Sequence, residues 1–297
     1  MLTQPLIIGL GEALWDIFPE QAHLGGAPSN FAIHVASLIG KSYLISSLGK
    51  DDLGQKARDT LTTRRVDLSH LQTHPTRATG EVRITLDENS VPAYTFMPSP
   101  AWGDLASTPD QLALAQRCQA VNFGTLAQQS AQSRATTQRF LQNCPHDSIR
   151  LFDMNLRQKF WTPQLILDSL ELASALKCNE DEIKIIAQVT GIVRPSSLGI
   201  LQEVLQRYQL QFIAHTLGAE GSLIITENEE DKRPASSTPV IDTTGAGDAF
   251  AATLVTGLLA GIPLPEIHQH ASRVAGYVCS QYGATPHLPD EFTLGIQ

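Results

Sequence analysis

Residues 242–250 read DTTGAGDAF and combine residue types suited to phosphate chemistry. Apolar residues recur at helical spacing from Asp248 onward, which predicts a helix over 248–260 that ends at Gly261. The small side chains of 245–247 would let an anion approach the unpaired N–H groups of its first turn. A carboxylate at the same turn could accept a proton from an attacking hydroxyl, so the loop contains both parts that phosphoryl transfer needs. The simpler alternative is a Gly-rich turn in which Asp248 only caps the helix.

Short apolar runs and helical patterns alternate along the rest of the chain. Strands are predicted over 6–10, 43–48, 120–123, 150–152, 176–178, 212–216 and 222–226. Helices are predicted over 29–39, 54–64, 111–118, 132–142, 163–173, 180–189, 196–208, 248–260 and 265–281. This order predicts an α/β fold of three layers, α/β/α, whose central sheet is mostly parallel and binds ligands beyond the carboxyl ends of its strands.

Residues 78–97 interrupt the alternation. Two alternating strands surround the turn-rich residues 87–91, with no helix between them. Together with residues 15–26 they predict a small antiparallel β sheet apart from the main one. The chain is therefore interpreted as one catalytic domain over 1–297 with a lid formed by about 12–25 and 76–102. An extra edge hairpin without a role is the alternative.

Composition limits the class of protein and its partners. Of the 297 residues 42% are hydrophobic and 17% charged, which is typical of a soluble globular protein. The net charge of −9 argues against nucleic acid and against an anionic membrane surface. The four cysteines lack CxxC spacing, and no signal peptide or membrane span is recognisable, so reduced thiols and a cytoplasmic location are expected.

Six segments occur in an order that resembles the PfkB/ribokinase family of carbohydrate kinases. They are GEALWD at 11–16, LGGAPSNFA at 24–32, FDMNLRQKFW at 152–161, NEDE at 179–182, TLGAEGS at 216–222 and DTTGAGDAF at 242–250. The resemblance covers nearly the whole chain. It implies a ribokinase-like fold, ATP and Mg²⁺ as cofactors, and transfer of the γ-phosphate of ATP to a sugar hydroxyl.

The resemblance also implies roles for single residues at the reacting centre. Asp248 would be the base that deprotonates the sugar hydroxyl. The anion hole would be formed by the N–H groups of Gly245, Ala246 and Gly247. The sugar hydroxyls would be held by Asp16, Gly26 and Asn30, although Asn30 could instead satisfy local backbone groups in the first turn of its helix.

A second set of roles concerns the nucleotide and the metal ions. Asn179 would reach the phosphates and Glu182 would act on Mg²⁺ through water. The nucleotide site would be shaped by Thr216, Gly218 and Gly221, whose glycines a plain hairpin turn would also explain. A monovalent cation such as K⁺ would be bound by Asp242 and by carbonyl groups of Thr244, Val278, Gln281 and Gly283.

The identity of the sugar is the most open question. No Arg or Lys occurs between Arg83 and Arg117, so the lid region offers no partner for a sugar carboxylate. This favours a neutral sugar, with fructose first and 2-keto-3-deoxygluconate as the alternative. Arg157 is a candidate for phosphate or substrate contact, or else forms a surface ion pair. Trp102 would stack on the sugar or seal the base of the lid.

Three further expectations concern the remaining surface. The histidines are predicted to be solvated or at the edge of the core, and the acidic residues 227–231 to form a solvated hairpin turn. A homodimer through the lid is an option, since an open small sheet has edges to cover. A non-catalytic sugar or nucleotide sensor on the same fold is the alternative from another class, but a sensor has no need of a base at Asp248.

Overall fold

The computed structural model describes residues 5–86 and 92–295, and these contain fifteen strands and nine α-helices. The strands are β1 Ile7–Leu10, β2 Leu14–Ile17, β3 Ala22–Gly25, β4 Ser42–Ile45, β5 Ser47–Gly49, β6 Val66–Asp67, β7 Gln72–His74, β8 Gly80–Leu86, β9 Pro92–Phe96, β10 Ala120–Phe123, β11 Ile149–Asp153, β12 Ala175–Asn179, β13 Phe212–Thr216, β14 Ser222–Ile225 and β15 Glu230–Arg233. The helices are α1 Ala27–Ile39, α2 Asp52–Thr63, α3 Pro109–Ala115, α4 Ala131–Gln142, α5 Pro163–Leu172, α6 Glu180–Thr190, α7 Ser197–Arg207, α8 Ala246–Leu259 and α9 Leu264–Cys279.

The main sheet has nine strands in the order β15-β14-β13-β12-β11-β10-β1-β4-β6. Its strands pair in parallel from β6 to β13, and β14 and β15 then add two antiparallel hairpin pairs at one edge. All residues of β1 and β10 are buried, as expected for parallel strands that are covered on both faces. The predicted mostly parallel sheet is confirmed.

Helices cover both faces of this sheet and enclose two apolar cores. One core contains side chains of α3 to α7, such as Phe140 and Ile166, packed against Phe123 and Phe152 of the sheet. The other contains Phe31 of α1 and side chains of α8 and α9. The molecule therefore has the predicted three layers, and α1 and α8 lie side by side in one of them.

The small sheet has four strands in the order β3-β2-β8-β9. The pairs β2–β3 and β8–β9 are antiparallel, as predicted, whereas the central pair β2–β8 is parallel. Parallel pairing is possible because β2 and β8 come from two separate segments of the chain, β2 after β1 of the main sheet and β8 after β7 of a two-stranded sheet with β5. The predicted turn at 87–91 lies outside the described residues.

Two local predictions are wrong. The single strand predicted over 43–48 is divided at Ser46, because β4 belongs to the main sheet and β5 pairs with β7 instead. The acidic turn over 227–231 is not wholly solvated, since Glu230 and Asp231 lie in β15 and Asp231 forms an ion pair with Arg233.

Two histidines are fully buried, contrary to the expectation that all would be solvated or at the core edge. His34 in α1 donates through Nε2 to the carbonyl of Ala284 at 3.0 Å, and burial lowers the pKa of its imidazole to about 4. His268 in α9 lies between Ser222 and Asp231 of the β14–β15 hairpin. In the described part of the chain, no helix is both long and apolar enough to cross a membrane.

Candidate active site

The loop before α8 is forced into a shape that only glycine adopts easily. Gly245 has φ of 77°, and a Cβ at this position would lie 2.2 Å from the carbonyl oxygen of Ala284. The helix begins at Ala246, two residues before the predicted start, so Asp248 lies within its first turn. Ala246 N donates to Thr243 O at 3.3 Å, which closes the turn ahead of the helix.

Asp248 is held by a residue from a distant part of the chain. Asn30 Nδ2 of α1 donates a hydrogen bond of 2.8 Å to Asp248 Oδ2. Burial and the neighbouring Asp153 carboxylate raise the pKa of Asp248 to about 6, while Lys177 and the bond from Asn30 act in the opposite direction. The side chain is partly exposed and oriented, which suits a general base near neutral pH.

A buried ion pair that the motif analysis did not single out lies beside Asp248. Lys177 Nζ in the middle of β12 contacts both carboxylate oxygens of Asp153, the last residue of β11, at 2.8 and 2.9 Å. Burial alone would lower the pKa of Lys177, but Asp153 and Asp248 raise it above its usual value. A Cβ on Gly247 would lie 3.2 Å from Lys177 Nζ, so the ammonium group lies against the first turn of α8.

Glu12 is a second residue that the motif analysis missed. Its side chain is 3% exposed, and Oε1 accepts the N–H of Ala27 at 3.2 Å. Burial raises the pKa of Glu12 to about 7, and the nearby Asp248 carboxylate contributes to that increase. Gly26 precedes α1 with φ of 96°, and a Cβ there would lie 2.5 Å from the carbonyl oxygen of Glu12. Glu12 thus caps the helix that carries Asn30.

A signal for both missed residues is present in the sequence. Glu12 and Asp153 lie inside two of the family-like segments, GEALWD and FDMNLRQKFW, and Asp153 is the last residue of β11. Charged residues at the carboxyl ends of adjacent parallel strands lie at the edge where ligands bind. Lys177 lies in the predicted strand 176–178, where a charged residue among apolar ones is the available signal.

Asp16 lies in β2, at the side of the small sheet that is nearest the site. Burial raises the pKa of Asp16 to about 6, with Arg157 lowering it and Asp242 raising it. Arg157 is exposed, and it also lowers the pKa of Glu12 and of Asp248. The structure therefore places the Arg157 cation opposite three carboxyl groups that belong to separate parts of the chain.

The segment around Arg157 also contacts the small sheet. Gln158 Nε2 donates to the carbonyl of Tyr94 in β9 at 2.8 Å, and Phe160 meets Phe96 edge to face with ring centroids 4.9 Å apart. Trp102 lies beneath the same sheet, where it is 4% exposed and packed with Leu14. The structure places Trp102 at the base of the small sheet and does not bring it to a surface that a sugar could reach.

Asn179 and Glu182 form the N-terminal cap of α6. Asn179 Oδ1 accepts the N–H groups of Asp181 and Glu182, each at 3.0 Å, and Glu182 Oε2 accepts the N–H of Asn179 at 2.9 Å. Glu182 Oε1 also accepts the N–H of Leu156 at 2.8 Å. Glu182 therefore joins the start of α6 to the segment that carries Arg157, and burial raises the pKa of its carboxyl group.

The residues expected at the nucleotide lie in the tight turn between β13 and β14. Leu217 N donates to Gly221 O at 2.8 Å across this turn, and Gly218 is exposed at its tip. Gly221 starts the strand beside residues 233–235, where a side chain would not fit. Thr216, the last residue of β13, is half-buried next to the turn.

Asp242 joins the two loops that were expected to hold a monovalent cation. Its Oδ1 accepts from Thr244 N at 2.9 Å and from Thr244 Oγ1 at 2.6 Å, and its Oδ2 accepts from Gly283 N at 3.0 Å. Although partial burial would raise the pKa of Asp242, these hydrogen bonds keep it below the usual value. The carbonyl of Val278 accepts the N–H of Gln281 at 3.0 Å at the end of α9. Among the described residues, no three His, Cys, Asp or Glu side chains are grouped to hold a metal ion.

The fold is a three-layer α/β fold, and the site combines a half-buried carboxylate with a glycine-rich turn at the start of a helix. Residues 20–291 match the pfkB family of carbohydrate kinases, and the chain belongs to that family. It is a phosphotransferase that acts on a sugar hydroxyl.

Individual relatives agree with the family. A fructokinase of Klebsiella pneumoniae is 33% identical over 270 residues, which cover 86% of this chain and 85% of that protein. An uncharacterised sugar kinase of Pyrococcus horikoshii, solved in complex with ATP, has a TM-score of 0.81 at 27% identity and covers 94% of both chains. The fructokinase of Vibrio cholerae O395, solved with fructose, ADP and a calcium ion, has a TM-score of 0.77 at 27% identity and covers 96% of both chains.

Proposed function

We propose that the chain transfers the γ-phosphate of ATP to fructose and forms fructose 6-phosphate, with Asp248 as the general base. The observation that carries this proposal is the orientation of Asp248 by Asn30 within the first turn of α8, next to the Gly245–Gly247 amides. Similarity to named fructokinases supports the choice of sugar.

The base acts on the sugar oxygen and the anion site acts on the phosphoryl group, which are the two partners of the bond that forms. Asp248 removes the proton of the sugar hydroxyl as that oxygen attacks the γ-phosphorus. The charge on the phosphoryl group is stabilised by N–H groups of Gly245, Ala246 and Gly247 and by the Lys177 ammonium group beside Gly247. Because the ion pair with Asp153 holds Lys177 in place before substrate binds, little reorganisation is needed in the transition state.

The nucleotide is proposed to bind across the β13–β14 turn, with Thr216, Gly218 and Gly221 shaping the site and Asn179 close to the phosphates. Mg²⁺ usually keeps several waters and binds one or two carboxylates besides the phosphates. Glu182 fits such a role through water, since each of its oxygens accepts one backbone N–H and retains a second lone pair. When bound, the ion supplies positive charge that neutralises the phosphate oxygens.

A monovalent cation such as K⁺ is proposed at the two loops that Asp242 joins. Asp242, with its lowered pKa, would contribute a negative charge, and carbonyls of Thr244, Gln281 and Gly283 would contribute the neutral ligands. The carbonyl of Val278 fits less well, because it is engaged at the end of α9.

The charges of the site favour a neutral sugar over 2-keto-3-deoxygluconate. Glu12, Asp16 and Asp248 are three carboxyl groups whose pKa values are raised by burial, and a substrate carboxylate would add a fourth anion to the same region. Arg157 is a cation close to all three, and it is the one observation that favours the keto-acid sugar. Asp16, Gly26 and Asn30 remain the proposed contacts of the sugar hydroxyls.

A panel of sugars tests the proposal. Purified protein with ATP and Mg²⁺ is expected to phosphorylate fructose with a higher kcat/KM than 2-keto-3-deoxygluconate, ribose or glucose. A much higher kcat/KM with 2-keto-3-deoxygluconate or ribose would reject fructose but keep the kinase. Absence of turnover with every sugar, despite ATP binding, would favour a sensor.

A further inference from the structure

A small polar cavity lies under the N-terminus of α1, at the carboxyl ends of β10 and β11. Its volume is about 10 Å³, roughly the space of one water molecule or one hydroxyl oxygen. Its polar lining comes from Glu12, Asn122, Thr125, Asp153 and Asn155. It lies outside the loop of Asp248. The Asp248 carboxylate nevertheless contributes to the raised pKa of Glu12, and the Asp153 carboxylate contributes to the raised pKa of Asp248.

Two of these side chains carry a buried polar atom without a hydrogen-bond partner among the described residues. They are Glu12 Oε2, which is an acceptor when the carboxyl group is ionised, and Asn122 Nδ2, a donor. Glu12 is 3% exposed and Asn122 is 1% exposed. An unsatisfied buried polar group costs about 1–3 kcal/mol, so a pair of complementary ones in one cavity requires a further group, either a water molecule or a ligand hydroxyl that displaces it.

A hydroxyl group matches this pair, since it donates one hydrogen bond and accepts another. Glu12 Oε2 would accept from the hydroxyl and Asn122 Nδ2 would donate to it. Two other members of the lining already have partners, because Asp153 binds Lys177 and Thr125 Oγ1 donates to the carbonyl of Met154. The volume of about 10 Å³ admits a single oxygen atom and is too small for a carboxylate or phosphate group.

The position of the cavity relative to Asp248 connects it to the sugar. Glu12 Oε1 binds the N–H of Ala27, and Asn30, which orients Asp248, lies one helical turn further along α1. The first turn of α1 therefore contacts both Asp248 and Glu12. We propose that Glu12 and Asn122 form a hydroxyl subsite for a second, non-reacting hydroxyl of the sugar, and that this subsite sets sugar specificity. The inference rests on the proposed function.

Deoxy sugars crossed with variants test the subsite. Wild-type protein is assayed with fructose and with its 1-, 3- and 4-deoxy derivatives and 2,5-anhydromannitol, which lacks the anomeric hydroxyl. A site that hydrogen-bonds a substrate hydroxyl rejects the analogue that lacks it strongly, so one analogue is expected to lose at least ~100-fold in kcat/KM. In Glu12→Ala the ratio of kcat/KM with fructose to kcat/KM with that analogue is expected to fall below about tenfold. The same ratio for each of the other analogues is expected to stay as in wild type.

Two more variants distinguish loss of the subsite from a folding defect. Glu12→Gln keeps an oxygen for the N–H of Ala27 and therefore the cap of α1, and Asn122→Leu keeps the volume of the side chain. Both are expected to reduce the discrimination against the same single analogue. Glu171→Gln, at an exposed position of α5 outside the lid and the cavity lining, is the control and is expected to leave every ratio unchanged.

The outcomes separate the subsite from the proposed function. If the variants lose activity by the same factor with fructose and with every analogue, Glu12 and Asn122 only support the fold or hold a water molecule, and the subsite is rejected. If wild-type protein phosphorylates no sugar of this type, the proposed function itself fails. If wild-type protein phosphorylates fructose but no single analogue shows a selective loss in kcat/KM, the subsite is rejected and the proposed function stands.

Discussion

At the scale of single residues, the proposed reacting centre is a group of charged side chains that shift one another's pKa values. Asp248 carries a raised pKa because it is buried near Asp153, and Lys177 offsets part of this effect. Without the lysine, two carboxylates would lie close together in a region of restricted solvent, which would favour protonation of one of them. The ion pair thus favours the ionised form of Asp248, the proposed base, near neutral pH.

Replacement of the base provides the most direct test. Asp248→Asn should lower kcat by ~10²–10⁴-fold, because the amide cannot accept the proton of the sugar hydroxyl. ATP binding, measured by calorimetry, should remain close to wild type. Asp181→Asn, at a side chain that is 88% exposed, is the matched control with normal kcat. Unchanged turnover in Asp248→Asn would remove this residue from the reaction.

The raised pKa of Asp248 predicts how activity depends on pH. The base must be ionised, so kcat/KM should rise with pH through about 6 and become level above it. Asp153, Lys177 and Arg157 act on this group, and Glu12 titrates nearby, so the inflection belongs to the cluster. A profile measured from pH 5 to 8 checks it. A flat profile over this range would contradict the assignment.

The buried ion pair should matter for stability as well as for activity. Lys177→Gln leaves the Asp153 carboxylate without its partner and should lower the free energy of unfolding by about 3–5 kcal/mol. The double variant Lys177→Gln with Asp153→Asn restores a neutral hydrogen-bonded pair and should recover part of this loss. Urea unfolding measures both. A change below about 0.5 kcal/mol in the single variant would show that the pair contributes little.

At the scale of elements, one buried histidine connects three parts of the fold. His268 of α9 binds Ser222 Oγ through Nε2 at 2.7 Å and Asp231 Oδ2 through Nδ1 at 2.6 Å. Its ring also meets Phe250 of α8 edge to face at 5.7 Å. The β14–β15 hairpin that begins at the proposed nucleotide turn is therefore tied to the two helices behind it.

Loss of this connection should weaken the hairpin. His268→Phe keeps an aromatic ring but removes the partner of Ser222 Oγ and one of the two partners of Asp231, which retains Arg233, so the free energy of unfolding should fall by about 1–3 kcal/mol. Ser272→Ala, on the half-buried side of α9, serves as the control with a smaller change. Thermal and urea unfolding measure the difference. Equal stability of the two variants would mean that the network is dispensable.

At the scale of the whole molecule, the small sheet lies where it can cover the sugar. It carries Asp16, it contacts the Arg157 segment through Tyr94, and His23 of β3 lies 3.6 Å from where a Cβ on Gly283 would be. We infer that residues 12–25 and 76–102 close over the sugar as a lid on a single domain. Edge strands β3 and β9 are where a second copy would pair if the chain dimerises.

Hydrogen exchange tests the lid. Saturating fructose should slow exchange in β2, β3 and β8, because closure removes these strands from solvent and limits their local opening. Helix α7, whose side chains pack in the core of α3 to α7, should change little and serve as the internal control. Equal exchange rates with and without sugar in the small sheet would reject closure.

Much of the architecture follows from short-range patterns. Strands β10 and β13 and the end of α1 at Gly40 have the predicted boundaries, since apolar periodicity and a glycine that takes positive φ are local properties. The phosphate-type loop at 245–248 was equally visible. Helix α8 begins two residues before its predicted start. The turn ahead of it is shaped by the contact of Gly245 with Ala284, which is distant in the sequence and therefore invisible to a local pattern.

The sequence by itself determined the layers of the fold, the loop before α8 and the family. Only the tertiary structure decided which polar groups meet: Asn30 binds Asp248 across 218 residues, Lys177 neutralises Asp153, and Glu12 shares a cavity with Asn122. The physical reason is that periodicity depends on residues a few positions apart. Pairing, burial and the pKa shifts that follow from them depend on how helices and strands pack.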